Sequence, residues 1–360
     1  MEEQIENKEN RMSGSKKRFV LDLDLPSWEE YVKEKHLPKF RAGQIYSWYS
    51  KGVLDMDRMT NVPGNIKTML KEDFVCENMS IGKHLVSEID GTQKFVFELY
   101  DGHCVETVLM RYKTGLSICI SSQAGCKMGC RFCASAHAGF GRSLTRGEML
   151  GQVLLAGNFA GERIHSVVVM GIGEPFDNYE ELIGFLHLAN DEKGLNLGAR
   201  HITVSTCGLV PQMLQFSEID MQVNLSVSLH APNDTLRKSI MPIANRYSMQ
   251  ELLDACRTYE RNTNRRITFE YSLFDGVNDT PECAKELCRV LRGIHCHINL
   301  IAANEFDGSP FRRSKPGNVR AFQDLLEKGG MTVTLRREMG TDIMAACGQL
   351  RRGMQEKKES

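Results

Sequence analysis

Residues 117–133 read Ser-Ile-Cys-Ile-Ser-Ser-Gln-Ala-Gly-Cys-Lys-Met-Gly-Cys-Arg-Phe-Cys. The run begins as an apolar strand candidate, 117–121, and continues into a C-x3-C-x2-C loop of Cys126, Cys130 and Cys133. Gly125 and Gly129 let the backbone turn there. Three thiolates this close can wrap one compact centre, and thiolates suit iron–sulfur clusters or zinc. A structural zinc ion wants four ligands, usually from two cysteine pairs, and no second C-x2-C follows. Three ligands on a four-iron cube leave one iron open, and an open iron can bind a substrate. A structural cluster or zinc loop is the plainer alternative.

Outward from this loop, the chain alternates strand and helix. Apolar strand candidates are 117–121, 165–170, 200–205, 222–229, 267–274, 297–302 and 331–336. Thr145/Glu148 and Ser248/Glu251 are capping-box pairs ahead of helical runs. Repeated strand–helix units argue for a parallel sheet covered by helices, hence an α/β fold with a partial or closed β/α barrel. In such barrels chemistry sits at the carboxyl ends of the strands. Gly171-Ile172-Gly173-Glu174-Pro175, Ser205-Thr206-Cys207-Gly208, Ser228-Leu229-His230 and Asn304 all fall there. The pattern places these polar groups and the cysteine loop around one mouth.

Before the barrel, residues 92–111 read as two strands around Asp101-Gly102, a strong hairpin signal. Glu106 is a carboxylate within the apolar second strand, either ion-paired or kept for proton transfer. Ser27 with Glu30 looks like a capping box. Ile45, Trp48, Tyr49 and Val53 fall at helical spacing among Lys39, Arg41 and Lys51, so the aromatics are expected in a small helical core and the cations toward RNA. The divisions expected are a disordered extension (1–18), a small helical RNA-binding domain (19–75), a β-hairpin linker (76–112), the barrel (113–352) and a flexible tail (353–360).

Composition narrows the class. The chain has 360 residues and a formal net charge of −1, so no global field advertises nucleic acid; RNA would meet local basic patches. No apolar run approaches a membrane span and no signal peptide opens the chain, so no membrane association is expected. Twelve cysteines without such a signal suggest reduced thiols in the cytoplasm.

The C-x3-C-x2-C run, with Phe132 before the last cysteine, resembles the signature of the radical S-adenosylmethionine (SAM) superfamily. Cys119-Ile-Ser-Ser-Gln-Ala-Gly-Cys126, Met170-Gly-Ile-Gly-Glu-Pro175, Ser228-Leu-His-Ala-Pro-Asn-Asp234 and Ala345-Ala-Cys-Gly-Gln-Leu350 together resemble the bacterial dual-specificity 23S rRNA and tRNA adenine-C2 methyltransferases, over roughly residues 20–352. The resemblance implies a 4Fe–4S cluster on Cys126, Cys130 and Cys133. It implies SAM contacts at Gly173, Glu174, Ser205, Ser228, Leu229, His230 and Asn304. Two SAM molecules would serve each turnover, one as methyl donor and one as radical source. Cys347 would carry the methyl group, Cys119 would resolve the enzyme–RNA adduct and Glu106 would accept the proton. An electron donor such as flavodoxin or ferredoxin would serve an enzyme expected to be a monomer.

Two departures from the family pattern stand out, Ala302 after Leu300-Ile301 and Met344 after Asp342-Ile343. They bear on substrate fit more than on reaction type. Carbon-8 methylation of the same rRNA adenine is a rival reading, and a non-catalytic, metal-stabilised RNA-binding protein is another. Lys127, Arg131, Arg142, Arg146, Arg312, Arg313, Arg336, Arg337, Arg351 and Arg352 are candidates for phosphate contacts, each with a solvated surface charge as its alternative.

Overall fold

The computed structural model describes residues 17–305 and 308–345. The expectations placed on 1–16 and 346–360, among them Cys347, Arg351, Arg352 and the tail, lie outside the described residues.

Ten strands form one sheet in the order β1-β2-β3-β4-β7-β8-β9-β10-β11-β12. They are β1 Met79–Val86, β2 Gln93–Leu99, β3 Cys104–Tyr112, β4 Gly115–Ile120, β7 Ile164–Val169, β8 Ile202–Thr206, β9 Asn224–Ser228, β10 Ile267–Leu273, β11 Cys296–Ala302 and β12 Val333–Leu335. A small ribbon pairs β5, Gln123–Gly125, with β6, Phe140–Ser143. From β4 through β12 every neighbour in the large sheet is parallel. The order ends at β1 and β12, so the barrel is partial rather than closed.

Two physical features fix this half-barrel. Its strands alternate: Val167, Val204, Val227, Phe269 and Leu300 bury one face in the core, and the other face turns polar groups such as Ser205, Ser228 and Glu270 toward the cavity. Its outer helices carry their own start signals. Thr145 and Glu148 form a reciprocal capping box at Arg146–Ala160, and Ser248 and Glu251 do the same at Met249–Thr263.

The hairpin around Asp101-Gly102 is present as β2 and β3. It is one part of an antiparallel meander, β1 to β4, that runs directly into the parallel sheet. β1 has no apolar alternation strong enough to announce it: its burial pattern is mixed and a bulge interrupts its register between Ile81 and Lys83.

Three helices, Leu25–Glu34, Phe40–Tyr49 and Gly64–Asp73, pack ahead of the sheet. Their aromatics are core: Trp28, Tyr46 and Tyr49 are buried, and Trp28 stacks on Tyr49 with ring centroids 5.5 Å apart. Of the residues at helical spacing, Ile45 and Tyr49 are buried while Trp48, whose Nε1 donates to Asn61 Oδ1 at 2.7 Å, and Val53 are half-buried; Phe40 is exposed beneath the Arg41 guanidinium. The Ser27/Glu30 capping box is corrected. The helix starts earlier, at Leu25, because Asp24 is its N-cap and accepts from Ser27 N at 2.9 Å.

Candidate active site

Cys126, Cys130 and Cys133 line one cleft at the carboxyl ends of the parallel strands, open to solvent at its mouth. The cysteine loop is shaped by its glycines. Gly125 has φ +89°, and a Cβ there would lie 1.9 Å from the Gly139 carbonyl oxygen. That close approach lets Cys126 N donate to Gly139 O at 3.2 Å, tying the loop to the ribbon. On its other side, Arg131 N donates to Ile240 O at 3.0 Å, and Phe132 packs edge-on against His230.

Burial pushes the Cys126 thiol up to about 12 and Cys130 well above its ordinary value. Thiols so placed ionise when metal takes the proton's place. Among the described residues, no three His, Cys, Asp or Glu side chains are grouped tightly enough for a single ion. Three cysteines spread around one cavity suit a cluster, which spaces its ligands more widely than one ion does.

Gly173 and Glu174 follow β7. Gly173 has φ +107°, and a Cβ there would lie 2.6 Å from the Gln123 Cβ. Gln123 Oε1 accepts from Glu174 N at 3.0 Å. The Glu174 carboxylate is buried and accepts from Cys207 N at 2.8 Å and Phe176 N at 3.0 Å. Burial raises its pKa, and the Cys207 and Phe176 amides act against that rise. An ammonium group entering the cavity would meet an oriented carboxylate there.

Ser205, Ser228, His230 and Asn304 line the same cavity. His230 has φ +54°, and its Nδ1 accepts from Ser272 N at 2.9 Å, so the neutral ring carries its proton on Nε2. Burial lowers its pKa to about 3. Leu229 differs from its neighbours. Its side chain is fully buried in the core, leaving only its main chain for a ligand.

Sequence reading missed the residues that hold this arrangement. Arg237 is fully buried and donates to Cys207 O at 2.6 Å, Ser228 O at 3.2 Å and Leu229 O at 3.3 Å, joining the ends of β8 and β9. Asn278 donates to His230 O at 2.8 Å and Ser272 O at 2.7 Å. Glu270 on β10 lines the cavity, accepts from Ser226 Oγ at 3.0 Å and Asn299 Nδ2 at 2.9 Å, and faces Arg336 at 3.9 Å. The only available signal was a carboxylate inside the apolar run of β10.

A second pocket opens beside the first, and Cys133, Asn304 and Arg336 line both. Cys119, Val108, Met110 and Ala345 line only the second. Cys119 on β4 sits opposite Val108 on β3. Glu106 lies two residues from Val108, on the same face of the strand, and is 4% exposed. Its carboxylate pairs with Lys94 Nζ at 3.4 Å. Of the basic candidates, Arg142 is held by Asp101 and Glu148, and Arg146 by Glu181 at 3.0 Å. These two are ties within the fold. Lys127 pairs with Asp177 at 2.9 Å, Arg131 Nη1 donates to Ser239 O at 3.1 Å, and Arg313 pairs with Glu338. Arg336 and Arg337 line the second pocket.

Three cysteines, a buried carboxylate and polar strand ends around the mouth of a partial β/α barrel define a radical SAM protein. The Radical SAM superfamily matches residues 120–288, and the ribosomal RNA large subunit methyltransferase N-terminal domain matches residues 20–76. A probable dual-specificity RNA methyltransferase RlmN of Clostridium novyi is 51% identical over 92% of this chain and 97% of its own length. The corresponding protein of Clostridium tetani is 48% identical over 92% and 95%. The crystal structure of a radical SAM methyltransferase from Sphaerobacter thermophilus superposes with a TM-score of 0.90 at 42% identity, covering 93% of this chain and 99% of that one. The chain belongs to the RlmN family of radical SAM dual-specificity RNA methyltransferases. Membership implies a 4Fe–4S cluster, SAM and an RNA substrate. No helix among the described residues is long and apolar enough to cross a membrane.

Proposed function

We propose that the protein methylates carbon 2 of adenine in RNA, at one adenine in the peptidyl-transferase region of 23S rRNA and at the adenine 3′ to the anticodon in tRNAs. The observation that carries this is the shared wall of the two cavities. The three cysteines and Glu174 line one, Cys119 lines the other, and Cys133 and Asn304 belong to both. The relatives' description as dual-specificity RNA methyltransferases supports the substrate class.

Carbon 2 of adenine lies between two ring nitrogens and does not attack a methyl sulfonium as an amine would. When bound, the cluster and two SAM molecules per turnover would supply the methyl group and the radical that activates it. Cys126, Cys130 and Cys133 would hold the cluster. Glu174 would receive the SAM ammonium, and Gly173 leaves the space beside it. Ser205, Ser228, His230 and Asn304, with the main chain of Leu229, would line the remainder.

The chain's own residues then divide the work. Cys347 as thiolate accepts the methyl group by displacement and carries it as S-methylcysteine. Ala345, two residues before it in the sequence, lines the second pocket. Glu106 accepts the proton that carbon 2 must lose. Once the radical adduct has given up one electron, which would return to the cluster, Cys119 attacks the Cys347 sulfur. An S–S bond forms, the S–C bond breaks with its electron pair going to the methylene carbon, and that carbon takes a proton to become the methyl group of the freed base. The target adenine must be unpaired or flipped, because carbon 2 is crowded in a duplex. Arg336 and Arg337, which line the second pocket, would take its phosphates. The protein acts as a cytoplasmic monomer served by an electron donor such as flavodoxin or ferredoxin.

The test separates the two cysteines. C119A should still accept the methyl group and add to adenine, so a nuclease-sensitive protein–RNA band should accumulate on a denaturing gel. C347A should form neither adduct nor product. Identical behaviour of the two variants contradicts the assignment.

A further inference from the structure

We propose that Lys94 is a positioning residue that sets the proton-accepting carboxylate and the methyl-carrying segment in one register. The inference rests on the roles proposed above for Glu106 and Cys347 and adds what holds them together.

Lys94 lies on β2 and is 7% exposed, an unusual place for a lysine unless it is paired. In the antiparallel register Lys94 sits opposite Val108 and Glu106 opposite Val96, so the two side chains are diagonal neighbours on one face. The Lys94 ammonium meets Glu106 Oε1 at 3.4 Å. It also donates to the Met344 carbonyl oxygen at 3.2 Å. One buried cation therefore grips the base and a backbone atom three residues before Cys347.

The rest of that hairpin grips the same segment. Ser87 Oγ donates to Asp342 Oδ1 at 2.6 Å and Glu88 N to Asp342 Oδ2 at 2.9 Å. Gly340 N donates to Asp90 Oδ2 at 2.9 Å. Met339 and Ala345 then pack with Val108, Met110 and Cys119. Met344 itself has φ +52°, a left-handed turn. The turn of β1–β2 thus fixes the outer part of the segment, and Lys94 fixes its inner end beside the substrate pocket. A buried ion pair is no stronger a packing element than two apolar side chains of the same volume. What an apolar pair lacks is the third bond, to Met344. That bond gives a reason for lysine here.

Two readouts test this in the reconstituted holoenzyme with SAM, a reductant and unmodified tRNA. The first is methylated adenine formed per 5′-deoxyadenosine released. K94M should lower this ratio by about a hundredfold, the order expected when reacting groups lose their mutual placement. K94R, which keeps charge and donors, should recover most of it. The second is amide hydrogen exchange of residues 340–345, which needs no turnover. K94M should speed it about tenfold, as loss of one buried hydrogen bond allows. K94M leaves Glu106 buried without its cation and can fail to fold. K94M/E106Q buries no charge, and the same faster exchange is expected from it. A wild-type product ratio in K94M, or unchanged exchange in either variant, overturns the proposal. Failure of the underlying function would look different: the wild-type enzyme itself would give no methylated adenine, while the exchange measurement would still decide whether Lys94 anchors the segment.

Discussion

Gly173 and His230 show how single positions set the cavity. At Gly173 a side chain has neither room nor an allowed backbone angle, since φ is +107° and Gln123 stands 2.6 Å from where a Cβ would be. G173A should displace Gln123, disturb the Glu174 carboxylate and weaken SAM binding at least about tenfold, measured by equilibrium dialysis against labelled SAM. Retained affinity would mean that Glu174 is not what receives SAM. His230 makes a prediction about acid. Its pKa is lowered by burial to about 3, whereas an unfolded histidine ionises near its ordinary 6.5. Between these values the unfolded chain binds the extra proton, so stability is full above the upper value and falls as the pH drops toward the lower. This group alone would contribute up to about 1.4 kcal/mol per pH unit. H230N, which tolerates the left-handed backbone, should flatten the denaturant-midpoint profile between pH 6.5 and 4. An unchanged slope would show that another group governs acid sensitivity.

At the scale of elements, the cysteine loop depends on its seat against the β5–β6 ribbon. G125A would force the Gly139 carbonyl away and break the loop's tie. Iron bound after anaerobic reconstitution should fall several-fold while far-UV circular dichroism stays close to wild type. C130A should go further and abolish both the brown colour and 5′-deoxyadenosine formation; SAM cleavage surviving in C130A would rule out the cluster reading. The elements were mostly legible in the sequence, for physical reasons. Apolar β-branched runs gave the parallel strands, and Thr145/Glu148 and Ser248/Glu251 announced their helices because capping is local chemistry. Ser27/Glu30 misled because Asp24, one turn earlier, competes for the same amide. β1 was illegible because its register is bulged and its faces are mixed. Lys94, Arg237 and Glu270 were missed since their meaning lies in partners distant in sequence, which spacing cannot reveal.

Among the described residues the N-terminal helices and the barrel share one hydrophobic cluster that runs from Trp28 and Tyr49 through Val169 and Leu225 to Phe322. Polar ties cross the same junction. Tyr46 Oη donates to Asp191 at 2.6 Å, Asn158 Nδ2 to Lys51 O at 2.8 Å, and Gly147 N to Asp22 at 2.9 Å. Helical spacing anticipated burial of Ile45 and Tyr49, whereas Trp48 and Val53 stay half-buried, and it did not show that the N-terminal helices would share the barrel's core. The N-terminal helices and the barrel should therefore unfold in one transition, with tryptophan fluorescence and circular dichroism midpoints coinciding. Y46F should lower stability by about 1 kcal/mol without creating a second transition. Two separate transitions would show that the helices form an independent unit. The central claim is the position at which the enzyme places its methyl group. The direct measurement is anaerobic turnover with SAM, a reductant and unmodified 23S rRNA fragment or tRNA, followed by digestion to nucleosides, mass spectrometry and NMR. The account predicts 2-methyladenosine from both RNAs, dependent on the cluster cysteines. Methylation at carbon 8, or no methylated adenosine at all from a reconstituted enzyme that cleaves SAM, would contradict it.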